Sequence, residues 1–127
     1  MSEPSVSVEG FSVLRGDYIH VVESYVSEIE DIKNRMREVA HLAQTCGVLR
    51  VLVEARHANG SFSENQLVDL AEFGADVVGV LERIAMLRDV DQPDDAWMGV
   101  TRVLKAVGFD IRAFSSEEAA LAWLTDS

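Results

Sequence analysis

A chain of 127 residues with 48% hydrophobic and 26% charged residues has the size and make-up of one globular domain with a real core, not of a disordered tract. Its formal net charge of −11 repels phosphate backbones and anionic lipid, which excludes nucleic acid and stable membrane association as natural expectations. A single cysteine, Cys46, rules out an internal disulfide and a paired-cysteine metal site. No apolar run approaches the roughly 18–20 residues of a bilayer span, and Met1-Ser2-Glu3-Pro4 has neither the basic nor the apolar region of a secretion signal. The expectation is a cytoplasmic protein, a single domain over residues 1–127, with its core at about 5–124 and frayed ends at 1–4 and 125–127.

In chain order, two β-type stretches come first, Ser5–Leu14 and Tyr18–Ser24. Arg15-Gly16-Asp17 separates them, and a glycine free to take positive φ makes a hairpin turn there. An amphipathic helix follows from about Ser27 to Thr45. Ile29, Ile32, Met36, Val39, Ala40 and Ala43 recur at three- and four-residue steps, while Glu30, Asp31, Lys33, Asn34, Arg37 and Glu38 fill the other face. Gly47 is placed to end it in a left-handed conformation.

Val48–Glu54 is a nearly continuous β-favouring run, the pattern of a strand covered on both faces. After the loop Ala55–Phe62, with its Asn59-Gly60 turn, Ser63-x-x-Gln66 is a capping box. The helix it opens runs to about Val78, with Leu67, Leu70, Ala71, Phe73, Gly74 and Val77 inward and Gly79 closing it. A strand is expected within Leu81–Arg88. Pro93 suits the first turn of the next helix, whose stripe is Trp97, Val100, Thr101, Leu104 and Val107. Asp110–Phe114 alternates as a half-buried edge strand, and Ser115-x-x-Glu118 reads as a second capping box before a short final helix. The order β-β-α-β-α-β-α-β-α predicts a layered α/β domain with a mixed sheet and right-handed crossover helices.

Chemistry is sparse in this pattern. His20, His41 and His57 fall in three different elements with no partner at helical spacing, so no metal site is expected. The acidic pairs Glu30-Asp31, Asp89/Asp91 and Asp94-Asp95 sit on a helix face, in a polar loop and near a helix start, where solvation and the helix dipole account for them. Cys46 lies at a helix C-terminus, where the dipole disfavours the thiolate, and is expected to be buried or inert. No nucleophile elbow and no phosphate-cradling glycine motif occurs, so no catalytic residue and no cofactor is expected.

The richest stretch is Glu54–Ser63, leaving the C-terminal end of a central strand and entering a helix N-terminus. Arg56, His57, Ser61 and Ser63 put a cation, an imidazole and two hydroxyls beside free helix N–H groups, a surface suited to an anion or a partner protein. The same residues have a plainer use: Asn59-Gly60 makes the turn, Ser63 caps the helix and Arg56 pairs with a carboxylate.

Val48–Arg56 followed by Ser63, together with Gly108-Phe109-Asp110-Ile111-Arg112-Ala113-Phe114 and Ser115–Leu124, resembles the SpoIIAA-like (STAS-type) domains. Their "RVLxDxR…S" stretch and their "G…vrvF…eeAlaWL" tail match here in order and spacing, from about Tyr18 to Leu124. The resemblance implies the fold of anti-sigma-factor antagonists and STAS domains and, more distantly, of lipid-carrying Sec14-like domains. It implies a mostly bacterial, non-enzymatic module that regulates through a protein partner. In antagonists of that type a serine after a central strand is phosphorylated, which makes Ser61 and Ser63 the candidate phosphorylation sites. Glu54 stands in place of the family's aspartate and the loop is longer. The kinship with Sec14-like domains also implies an alternative, a small apolar-ligand or lipid-binding domain. The architecture further allows a homodimer through an edge strand or a helix face.

Overall fold

The computed structural model describes residues 11–23, 29–55, 62–88 and 96–126, with nothing to say of the side chains of Ala96 and Trp97. The elements are β1 (Phe11–Leu14), β2 (Ile19–Val22), α1 (Ile29–Cys46), β3 (Arg50–Glu54), α2 (Glu64–Val78), β4 (Arg83–Leu87), α3 (Ala96–Ala106), β5 (Ile111–Phe114) and α4 (Glu117–Leu124). Their kinds and order are those the sequence pattern predicts. The part of the first expected strand before Phe11 lies outside the described residues, as do Pro93 and the aspartates from 89 to 95.

The sheet has five strands in the order β1-β2-β3-β4-β5. β1 and β2 pair antiparallel through the Gly16 turn, where φ is +78°, and β2 to β5 are parallel. Because strand order never reverses, right-handed crossovers lay α1, α2 and α3 on the same face. There Ile19, Val21, Val51, Ile84 and Met86 meet Ile32, Met36, Val39, Leu67, Leu70, Val100 and Leu104 in the main core. The opposite face carries a smaller core, Leu52, Ala85 and Leu87 under Ala120 and Leu124 of α4. Val51 and Leu52, neighbours in sequence, thus serve two different cores, which explains the unbroken apolar run of β3. Gly74 marks where three helices converge, for a Cβ there would stand 3.2 Å from Leu104 and 3.3 Å from Met36.

Three local expectations need correction. The N-cap of α4 is Ser116, whose hydroxyl accepts from Ala119 N–H at 3.2 Å, not Ser115. The strand ends at Phe114 as expected, but Ser115 stays in the connection and the helix starts at Glu117, so the third helical residue is Ala119 and Glu118 falls out of register for a reciprocal bond. On α3 the inward stripe includes Val103, while Val107 lies beyond the helix end and is exposed. On α2 the expected stripe left out Val78, which is buried in the last turn beside the half-buried Val77, while Gly79 ends the helix as expected.

Candidate functional site

Period-two alternation along β2 sends Ile19 and Val21 into the main core, and continues one residue further to Glu23. Glu23 N–H donates to the Glu54 carbonyl at 3.1 Å, prolonging the β2–β3 ladder and holding the side chain inward. The carboxyl is 7% exposed, and its Oε1 has no hydrogen-bond partner.

What it faces is a cavity of about 60 Å³ between the sheet and helices α1 to α3. The walls are apolar, among them Val21, Val53, Met36, Val39, Met86 and Leu104; Glu23 and Arg35 bring the polarity. Arg35 lies at the margin of the buried stripe of α1, one residue before Met36. Its Nη2 is 3.4 Å from Glu38, while its Nε is buried without a partner. Burial pushes the Glu23 acid up to about 8; Arg35 opposes the shift, and Asp31 and Glu38 add to it. At neutral pH the group is therefore a neutral carboxylic acid, which is how a lone carboxyl survives in an apolar wall. Sequence reasoning passed over it, although the alternation Ile19, Val21, Glu23 was the available signal.

Of the four loop residues singled out from sequence, Ser63 lies in the described structure. It is exposed and caps α2 with a full capping box: its Oγ accepts from Gln66 N–H at 3.1 Å, and its own N–H donates to Gln66 Oε1 at 2.9 Å. Arg56, His57 and Ser61 lie outside the described residues. The monotonic strand order also means that no crevice is opened by a reversal of strand order, the usual seat of ligands in open α/β sheets.

His20 is not a surface histidine. It sits on β2 facing the α4 side, with Nε2 at 2.9 Å from Glu54 Oε1 on β3, and its Nδ1 accepts from Arg15 Nε at 3.3 Å. An arginine can only donate, so the imidazole proton is on Nε2 and points at Glu54. This chain ties the hairpin turn to β3 at the point where the 56–63 connection begins. His41 and Cys46 are exposed, so of the two expectations for the thiol, buried or inert, burial does not hold, and among the described residues no cluster of His, Cys, Asp or Glu is arranged to hold a metal.

At the far end of the molecule, α4 is fastened by two arginines. Arg50 Nη1 donates to the carbonyls of Leu124 and Asp126, and Arg83 Nη1 to those of Trp123 and Asp126. They satisfy carbonyls that a helix leaves free at its C-terminus.

A five-stranded mixed sheet in chain order, three crossover helices on one face and a fourth helix on the other, has the architecture of the STAS-like fold. The SpoIIAA-like family model matches residues 20–125, and the chain belongs to that family. Domains of this kind are generally binding modules without catalysis, and typically act in protein interactions. A search of curated proteins gives no match. No helix among the described residues is long and apolar enough to cross a membrane.

Proposed function

We propose that the domain is a non-enzymatic regulatory module acting through a protein partner, with the 56–63 connection and the outer face of α2 as its contact surface. The observation that supports this reading is the make-up of that face. Glu72 and Asp76 are exposed near Val68, itself 46% exposed, while Glu64 and Asp69 pair with Arg102 and Lys33, so the surface suits a basic partner with one apolar contact. A phosphate on Ser63 would put roughly two negative charges at the α2 N-terminus, and one on Ser61 would add the same charge to the 56–63 connection, and so change which partner is favoured. The test is affinity capture with the wild type, Arg56→Glu and Ser63→Asp, with the phosphorylation state of the bait read by intact mass. Recovery of one partner by the wild type and its loss with either variant is expected. Equal recovery by all three would end the proposal.

A second reading, a small apolar-ligand-binding domain, is favoured by the Glu23 cavity. Native mass spectrometry of the protein purified from its own host should then show a small co-purifying molecule; a bare chain with an undisplaced main core counts against it.

A further inference from the structure

His20 stands between a donor and an acceptor whose fit to the ring changes when the ring takes a proton. Arg15 Nε donates to Nδ1 at 3.3 Å, and Nε2 meets Glu54 Oε1 at 2.9 Å. The first bond exists only while Nδ1 is bare, because an imidazolium carries a hydrogen on both nitrogens and accepts at neither. The second survives that proton and gains from it, since both partners of the bond are then charged.

The surroundings of the ring are otherwise quiet among the described residues. Its cross-strand neighbours are Val13 of β1 and Leu52 of β3, both apolar. Tyr18 lies two residues back on the same face and packs against the α4 core. The turn brings Arg15 and the exposed Asp17; β3 brings Glu54 and Arg50, and Arg50 is engaged with Glu82 and the end of α4. Helix α4 packs on β3, β4 and β5, with Glu117 and Glu118 exposed. The His20 side chain, 13% exposed, thus touches one cation and one anion, and protonation sets it against the cation.

We propose that His20 is a proton switch on the β1–β2 turn: the neutral ring ties Arg15 to the sheet, and the imidazolium releases it while holding Glu54 more firmly. Without release, two cationic donors would face each other at 3.3 Å. The turn keeps its backbone bond, from Arg15 N–H to the Tyr18 carbonyl at 2.9 Å, so acid removes the side-chain tie and leaves the hairpin closed. The consequence falls on a nearby surface. Gly16 and Asp17 line a polar cleft of about 260 Å³ together with Gly47, Arg50 and Glu82. Freeing Arg15 loosens that side of the cleft as pH falls through the range in which imidazoles titrate, about 8 to 5.

The experiment is NMR of the full chain across that range, following the His20 ring nitrogens, the nitrogen shift of Arg15 Nε read through its attached carbons, and the Gly16 amide. At the upper end His20 should show a bare Nδ1 and a protonated Nε2. On acidification Arg15 Nε and the Gly16 amide should move with the same midpoint as the ring, Arg15 Nε ending at the shift of a solvated guanidinium. The Gly16 step should vanish in Arg15→Met, where His20 still titrates, and both steps should vanish in His20→Gln. A ring protonated on Nδ1 at the upper end overturns the switch. A titrating ring with Arg15 Nε unmoved does so too, as does a Gly16 step that survives either substitution.

Discussion

Arg83 donates from Nη1 to the Trp123 carbonyl at 2.6 Å while its guanidinium lies 5.4 Å from the centroid of the same residue's indole ring. One side chain on β4 thus holds both the backbone and the ring of the last turn of α4, and Arg112 approaches that ring at 5.0 Å. Charge-assisted hydrogen bonds contribute about 1.5–3 kcal/mol and a cation–π contact about 0.5–1 kcal/mol where solvent reaches it. Arg83→Met should therefore cost about 2 kcal/mol in urea unfolding, with the Trp123 fluorescence shifting towards that of a hydrated indole. An unchanged midpoint would show that Arg50 alone suffices.

Stability should fall as pH rises from about 5 to 8, because Glu23 keeps its proton in the folded chain up to about 8 and gives it up near 4.5 when unfolded. Over that window the folded state binds one more proton than the unfolded state, so unfolding free energy decreases with pH. The slope from this group is at most about 1.4 kcal/mol per pH unit. Its stabilising contribution is complete below the unfolded value and lost as pH passes the folded one. Glu23→Gln removes the ionisation, so the difference in stability between variant and wild type should move in the variant's favour across the window. Parallel pH profiles for the two proteins would contradict the neutral acid.

Leu52 is fully buried beneath α4, whereas Val80 is 69% exposed beyond the end of α2. Leu52→Ala should cost about 2–5 kcal/mol and loosen α4 first, which hydrogen exchange would register as lost protection at residues 117–124. Val80→Ala should change stability by no more than about 0.5 kcal/mol.

The caps can be separated by substitution. Ser63→Ala and Ser116→Ala should each cost about 1 kcal/mol, and Ser115→Ala next to nothing. Ser63→Asp keeps an acceptor at the α2 N-terminus and should unfold at nearly the wild-type midpoint, so that a lost partner reports the surface and not a damaged fold. Thermal melts of the four variants decide this.

Much of the fold was legible because its signals are local. The Gly16 turn, the stripe Ile32-Met36-Val39-Ala43, the β3 run and the Ser63 box each occupy a few adjacent positions and need no distant partner to be seen. The adjacent serines 115 and 116 show the limit of such signals: which one caps depends on where β5 stops, and that is set by pairing with β4 through Leu87↔Phe114. The candidate site was less legible. Glu23 could be read as inward from Ile19 and Val21, yet the cavity it faces is a gap left by side chains from six separate elements. Arg50 and Arg83 reach the end of α4 across 74 and 40 residues, distances over which no pattern in the chain announces a contact. His20 and Glu54 meet only because β2 and β3 lie side by side, with Val22 opposite Glu54.

The agreement of strand order with chain order has a kinetic side. Each strand pairs with the one made just before it, so the sheet can grow outward from the β1–β2 hairpin one crossover at a time, without waiting for a segment further along the chain. α4 is the exception, since it returns across β5 to cover β3 and β4. During synthesis the Leu52, Ala85 and Leu87 face stays bare until Glu117–Leu124 has left the ribosome. That interval is when the nascent chain is most open to a chaperone or to another copy of itself.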